Sequence, residues 1–303
     1  MAAPEQTHLF PVAPNNAAHH PKGPPMATET TVTSATAWSP DVSVFAASEV
    51  LPDALILRTA TVAGSVEGDA PVVRVAWVDD ADAEFTAEGA AIPESDPTLS
   101  ETLIPTGKIS QLLRLSREQW QQPGTSTELS ASVQRAVTRR ANEAYLTQAA
   151  PTAPAIGPAP GLLNVAGTVD GEPVDANLDA LVDLVAQLEA NNATPTHILI
   201  DPAGWAALRK FKTATGSAQT LLGAGTADAE RRLLDLPVIT SPAMPAKTGL
   251  VIDKAAVVAA AGPVRVAQSE HAYFDSDSVA LRCTWRVGQN VVHPDRIGTF
   301  TVA

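Results

Sequence analysis

The segment spanning residues 57–116 places the strongest constraint on the fold, because it has the pattern of a long hairpin arm rather than of a compact domain. It contains strand-like runs separated by turns rich in Gly and Asp, and prolines such as Pro105 lie in extended spacers. The runs cover residues 56–62, 72–78 and 108–115, and the turns cover residues 63–69 and 79–82. An isolated two-stranded ribbon is at best marginally stable in water. A projecting arm of this kind is therefore expected to be held by a neighbouring molecule.

The first 40 residues form another segment that cannot order itself. They are rich in Pro, Ala and Thr and contain almost no large apolar side chain before Trp38. A segment of this composition buries too little surface to offset its conformational entropy. We expect this arm to need a partner surface.

Helical periodicity predicts a long helix at residues 126–149, with Thr125 and Glu128 forming a capping box. At about 1.5 Å per residue it would be a rod of roughly 36 Å. Arg135, Arg139 and Arg140 lie on or near its polar side. These arginines are interpreted equally well as a solvated face or as a contact with a neighbouring subunit.

The second half of the chain mixes short strands and helices. A Pro- and Ala-rich connector at 149–161 is followed by an amphipathic helix at 175–189, with Leu178, Leu181, Val182, Val185 and Leu188 on its apolar side. A buried strand at 197–200 precedes a short helix that begins at Pro202. Further strands are predicted at residues 238–240, 250–252, 264–267, 279–287 and 297–302. Helices and antiparallel strands in separate runs indicate an α+β fold.

Charge and cysteine content exclude several classes of protein. The net charge of −13, without any Lys- or Arg-rich block, disfavours a dedicated DNA-binding module. It is compatible with a container wall along which packaged DNA slides. The single cysteine, Cys283, lies in an alternating run and is expected to be a small buried side chain. No secretory signal and no membrane span is recognised, so synthesis in the cytoplasm is expected.

No motif for catalysis or cofactor binding is found. The six histidines are dispersed, and His197 begins an apolar strand, where a core histidine is the simpler interpretation. Glycines at 216–225 lack the lysine and hydroxyl of a nucleotide-binding loop, and no G-x-S-x-G elbow occurs. We therefore predict neither an enzyme nor a metal or cofactor site.

Three stretches carry a resemblance to a known family. The first, at 87–96, reads AEGAAIPESD, the second is Gly157 with Gly161-Leu162-Leu163, and the third runs from THILID at 196–201 through Trp205 to LPVI at 236–239 and Trp285-Arg286. Together with the order of arm, ribbon, long helix and mixed domain, they resemble the major capsid proteins of tailed bacteriophages, which have the Hong Kong ninety-seven fold.

The resemblance implies a division of the chain into four parts. These are an N-terminal arm at 1–48, an extended loop at 59–106, an axial domain at 175–263, and a peripheral domain formed by 49–58, 107–174 and 264–303 around the spine helix 126–149. Subunits of such proteins form hexamers and pentamers that build an icosahedral shell around double-stranded DNA. The virion would be their location, after assembly in the host cytoplasm.

The resemblance also implies partners. Residues 59–106 contain no lysine, so the autocatalytic cross-link made by some members is not expected. The N-terminal segment is too short and irregular to act as a fused scaffold, so a separate scaffolding protein is expected, with a portal and possible decoration proteins. Candidate inter-subunit contacts are Arg58, Arg74, Asp79, Asp80 and Glu84, assigned to the extended loop, together with Arg139 and Arg140 of the long helix; solvated charges are the alternative interpretation.

Two alternatives stay open at this stage. A bacterial nanocompartment (encapsulin-like) shell would share the fold and enclose cargo enzymes in place of DNA. A cytoplasmic hydrolase using dispersed carboxylates would be a monomer or small oligomer.

Overall fold

The structure is a computed structural model that describes residues 42–66, 70–78, 85, 99–214, 217–222 and 231–303. The strands of the described residues are β1 (Val42–Phe45), β2 (Thr61–Ser65), β3 (Val72–Val78), β4 (Leu99–Ser116), β5 (Val169–Asp170), β6 (His197–Ile200), β7 (Arg232–Leu233), β8 (Leu236–Thr240), β9 (Thr248–Ile252), β10 (Val257–Ala261), β11 (Val264–Tyr273), β12 (Ser278–Val291) and β13 (Ile297–Thr301). The α-helices are α1 (Ala47–Val50), α2 (Leu55–Thr59), α3 (Arg117–Trp120), α4 (Thr125–Thr147), α5 (Asp179–Ala190) and α6 (Pro202–Leu208). Short 3-10 turns cover Leu162–Asn164, Lys254–Ala256, Phe274–Ser276 and Pro294–Arg296. The prediction of an α+β fold is confirmed.

A seven-stranded sheet organises the larger part of the molecule. Its main path runs β1-β11-β12-β10-β2, and β4 pairs with β12 while carrying β3 on its outer half. Helix α4 covers one face of this sheet through Val133, Val137, Ala141 and Tyr145, which recur at every fourth position. Trp285 of β12 is fully buried in the same core, where its indole nitrogen donates to the Gly262 carbonyl at 2.9 Å.

The long helix is found close to its predicted position, but its predicted capping box is wrong. The helix begins at Thr125, after Gly124, which has a left-handed φ of 88° that favours glycine. Thr125 is therefore already helical and cannot cap, and no side chain caps this end. The backbone amide of Glu128 instead donates to the Gly124 carbonyl.

A six-stranded sheet with the order β5-β13-β9-β6-β8-β7 forms a second core. Helix α5 covers it with Leu181, Leu184 and Leu188, whereas Val182, predicted to be on the apolar side, is 47% exposed. Strand β6 and the start of α6 at Pro202 are confirmed, and the Asp201 carboxylate caps that helix by accepting from the amides of Ala203 and Gly204.

The ribbon differs from its predicted form in two respects. Residues 56–59, expected to begin a strand, belong to α2, and the Leu55 amide at the start of this helix donates to the Asn142 side chain on α4. Strand β3 is found at the predicted residues, and its partner is 99–105, a segment in which no strand was predicted. Both segments belong to one strand of 18 residues, because Pro105 is accommodated within β4.

Candidate assembly surfaces

Strand β4 changes its pairing partner midway and so joins the ribbon to the sheet. Residues 106–116 pair antiparallel with β12, and residues 99–105 pair only with β3. Pro105, which has no amide hydrogen to donate, lies at the change of partner. The ribbon is therefore a direct extension of the strand that crosses the larger sheet.

The base of the ribbon packs against its own molecule, which corrects the expectation of a wholly unsupported arm. Ile104 is fully buried in a small cluster with Val66, Val258 and Ala260, and Val73 and Val75 pack against it. The opposite face stays open: Leu103 is 50% exposed, and Arg74 and Ala76 are exposed. A ribbon with one covered and one open face retains a surface for a partner.

The strands at this base approach each other very closely. Gly288 of β12 lies opposite Thr106, and a Cβ atom added at Gly288 would lie 2.2 Å from the Pro105 carbonyl oxygen. Only glycine permits this approach. Arg286, two residues earlier, donates to the Thr106 hydroxyl at 3.0 Å and to the Ala70 carbonyl at 3.3 Å.

The predicted contact residues of the ribbon are only partly described. Arg74 lies on β3 and pairs with Glu101 of its own β4 at 3.4 Å, with both side chains mostly exposed. Asp79, Asp80 and Glu84 lie outside the described residues. The 87–96 stretch of the resemblance also lies outside them, as does the arm up to residue 41.

Arg58 lies on α2 and not on the ribbon. Its side chain is exposed near His197 and Lys254. Partial burial lowers the pKa of His197, and the positive charges of Lys254 and Arg58 lower it further. His197 is thus a neutral, half-buried side chain whose Nδ1 lies 3.0 Å from the Thr196 hydroxyl, in agreement with its interpretation as a core histidine.

The arginines of the long helix are at its surface. Arg140 pairs with Glu143 at 3.6 Å and donates to the Gln148 side chain at 3.1 Å. Arg139 is exposed beside a shallow cleft of about 370 Å³ that also contacts Asp53 and Pro242. The structure does not bring Arg139 or Arg140 together with Arg58 or Arg74 in any cavity described here.

A cationic cleft, which the sequence patterns did not indicate, lies on the side of the larger sheet opposite α4. We use this name for the cleft of about 250 Å³ lined by Lys108, Arg265, Arg282 and Arg286. Arg282, Thr284 and Arg286 alternate along β12 and so share a face. The strand register sets Lys108 directly opposite Arg286, and Arg265 opposite Thr284. Lys108 is more than 150 positions from the other three cations, so only the pairing of β11, β12 and β4 could reveal the group.

The other side of the same strands is apolar. Cys283 is buried, as predicted, beside an apolar cavity of about 320 Å³ between β1, α4 and the sheet. Burial raises the pKa of its thiol. A buried neutral thiol is a core side chain rather than a nucleophile.

Neither a metal cluster nor a membrane helix is present within the part of the chain described. No group of three or more His, Cys, Asp or Glu residues there could hold a metal ion. None of the helices described is long and apolar enough to cross a membrane.

Comparison with known proteins agrees with this geometry. The model of the phage capsid family matches residues 49–302. The fold is similar to the capsid of the native GTA particle (TM-score 0.62, 19% identity, 96% of this chain and 100% of that chain) and of the empty GTA particle (0.63, 20%, 82% and 90%). It is also similar to a structure from Mycobacterium phage Bobi (0.60, 16%, 82% and 90%). No curated protein matches the chain.

The family match covers the long helix, the ribbon and every strand of the two sheets except β1, and the structural likeness extends over most of each compared chain. The α+β architecture is thus that of the Hong Kong ninety-seven capsid fold. The chain belongs to the phage capsid family and is a structural, non-enzymatic shell protein of a bacteriophage.

Proposed function

We propose that this protein is the major capsid protein that assembles through hexamers and pentamers into an icosahedral shell enclosing phage DNA. The observation that carries the proposal is the ribbon of β3 and β4, which leaves one face uncovered by the described residues of its own molecule. Repeated copies offer the surface that this face lacks. Many modest contacts of this kind sum to a stable closed shell.

The proposed parts of the subunit follow the four segments expected from the sequence. The arm at 1–48 and the extended loop at 59–106 would reach neighbours, and the spine helix would form the peripheral domain. The axial domain at 175–263 would meet its copies at the local symmetry axes. Strand β13 pairs with β9, so the end of the chain would belong with the axial sheet rather than with the peripheral segment 264–303.

Charged side chains are proposed to fix the register between subunits. Arg58, Arg139 and Arg140 are exposed, and Arg140 can exchange its pair with Glu143 for a partner on another copy. Ion pairs at the solvent-exposed edge of an interface contribute more to the orientation of the subunits than to their affinity.

The proposed partners are a separate scaffolding protein, a portal and decoration proteins, with assembly in the host cytoplasm. The enclosed double-stranded DNA would be held without sequence-specific binding. The net charge of −13 supports a wall that does not grip DNA as a whole.

Expression of the full chain with and without the candidate scaffolding protein tests the proposal. Electron microscopy should show closed shells of uniform size only in the presence of that protein. Uniform shells formed by the chain alone would remove the need for a scaffold, and a stable monomer under all conditions would refute the proposal.

The contents of the particles separate the two kinds of shell. Nuclease-protected DNA is expected in particles from infected cells. Particles that contain a cargo enzyme and no DNA would establish the nanocompartment instead.

A further inference from the structure

The cationic cleft is unusual in a chain with an excess of acidic residues. Lys108, Arg265, Arg282 and Arg286 line it, and no acidic side chain lies among its lining residues. Lys108, Arg265 and Arg282 make no ion pair with any described residue. The chain as a whole carries 33 acidic and 20 basic residues, so this local balance is the reverse of the average.

The strand register makes the cleft costly for an isolated subunit. Lys108 and Arg286 are directly opposite on β4 and β12, where like charges repel. Arg286 is also held in place by the Thr106 hydroxyl and the Ala70 carbonyl, so it cannot simply turn away into solvent. An anionic partner would offset this repulsion.

A segment of the same chain at the end of the ribbon carries the opposite charge. Residues 79–96, here called the tip segment, contain seven carboxylates and no basic residue: Asp79, Asp80, Asp82, Glu84, Glu88, Glu94 and Asp96. The tip segment joins β3 to β4 at the end of the ribbon farthest from Pro105. Residues 99–105 extend that end by roughly 20 Å from the point where β4 leaves the larger sheet.

We infer that the cationic cleft of one subunit binds the acidic tip segment of a second copy. The inference rests on the proposed function and names the partner surface of the ribbon. The two elements are complementary in charge, since four cations without an acid face seven acids without a cation. Duplex DNA is the other polyanion in such a particle, but the net charge of −13 opposes its approach to the subunit. By contrast, each subunit carries one cleft and one tip segment, so every cleft in a shell has a tip segment available to it.

A direct binding assay tests the inference without requiring shells. The probe is a fluorescently labelled synthetic peptide of residues 79–96, and the receptor is the full chain with its own tip reversed by Asp79→Lys, Asp80→Lys, Asp82→Lys and Glu84→Lys. These changes take the tip charge from −7 to +1 and remove competition within the receptor. Fluorescence anisotropy should show binding that weakens at least roughly tenfold between 0.1 and 1 M salt, as the Debye length falls from about 10 to about 3 Å.

Reversal of the cleft should remove that binding. Lys108→Glu, Arg265→Glu and Arg282→Glu take the charge of the four cleft cations from +4 to −2. The matched control reverses three exposed lysines outside the cleft, Lys210, Lys212 and Lys247, and changes the net charge by the same six units. The cleft variant should bind at least about tenfold more weakly, and the control should bind like the parent. Equal loss in both, or unchanged binding in the cleft variant, would overturn the inference.

Co-expression distinguishes contact between copies from contact within one copy. The cleft variant alone and the tip variant alone should each give at least about tenfold fewer shells than wild type, because each one sets like charges against each other. Their equimolar mixture should recover shells, since alternating copies again pair opposite charges. If shells recover only when a single chain carries both the reversed cleft and the reversed tip, the tip binds the cleft of its own subunit and the inference fails.

Two further outcomes have separate meanings. Normal shells from the cleft variant together with weaker retention of DNA would assign the cleft to DNA and overturn the inference. Failure of wild type to form any shell, with or without the scaffolding protein, refutes the proposed function, and the peptide assay then decides the inference independently. Circular dichroism should match wild type for every variant and no variant should unfold at a lower urea concentration, and Lys108→Gln, Arg265→Gln and Arg282→Gln replace any reversal that fails to fold.

Discussion

Replacement of Gly288 by alanine is expected to disturb assembly more than it disturbs the fold. The added Cβ would lie 2.2 Å from the Pro105 carbonyl oxygen, and real contacts of this kind stay at or above about 3.0 Å, so β4 must shift by about 0.8 Å. Inserting a methyl group into a packed contact costs about 1–3 kcal/mol. The shift occurs at the base of the ribbon. If this shift tilts residues 99–105 about a pivot roughly 7 Å from the contact, the far end of the ribbon, about 20 Å away, moves by about 2 Å.

Gly107 supplies the matched control, because it is on β4 next to the same junction. A Cβ at Gly107 would lie 3.3 Å from the Pro158 side chain and 3.9 Å from the Val287 carbonyl, so alanine there needs only a small adjustment. Less backbone freedom in the unfolded chain offsets part of any cost at both sites. We therefore expect Gly107→Ala to stay within about 1 kcal/mol of wild type.

Urea unfolding of the unassembled subunit and the yield of closed shells are the two measurements. Gly288→Ala should lose about 1–3 kcal/mol in the free energy of unfolding and most of its shells, whereas Gly107→Ala should keep both. Normal shells from Gly288→Ala, with the ribbon in its original position, would refute the reasoning.

Three further predictions concern side chains already placed. Tyr145→Phe should cost about 1 kcal/mol in urea unfolding, because the hydroxyl of Tyr145 is fully buried 2.9 Å from the Thr59 hydroxyl. Burial raises the pKa of Tyr145 above its ordinary value of about 10, so wild-type stability should fall as pH rises past that value, and more steeply than in Tyr145→Phe; equal slopes would contradict this. Cys283 should react with a thiol reagent only on unfolding, and rapid modification of folded protein would show that the site opens. Arg74→Gln should leave the unfolding midpoint of the subunit unchanged, since its pair with Glu101 is mostly exposed; a clear shift would mean that the pair is structural.

Local patterns were enough to predict the elements with strong periodicity. The long helix, the strand at 197–200 and the helix after Pro202 are found close to their expected residues, because each has a clear apolar repeat or a fixed start. The family resemblance, based on short motifs and the order of elements, is also confirmed.

The errors arise where tertiary contacts override local preference. Residues 56–59 were predicted to be part of a strand, but they belong to a helix that packs on α4, with the Thr59 hydroxyl buried against Tyr145. Thr125 matched a capping box, yet Gly124 allows the helix to begin one residue earlier. Pro105 looked like a spacer, and its place within β4 became evident only from the change of partner at that residue.

The candidate surfaces were the least predictable part. Arg58 and Arg74 were grouped as residues of one loop, but one lies on α2 and the other on β3. The cationic cleft joins Lys108 of β4 to residues of β11 and β12 that lie more than 150 positions later, and a net charge calculated along the chain does not reveal such a patch. A local charge reversal of this kind can be recognised only after strand register is known.

The continuity of β4 has a mechanical consequence. A pull on the ribbon by a neighbour would run along an unbroken backbone into the eleven residue pairs that β4 forms with β12. Tension along a strand axis loads such a ladder in shear, so its hydrogen bonds share the force instead of opening one after another. A shell strained from within would thus pass its stress into the layer that contains Trp285, a fully buried side chain of the larger core.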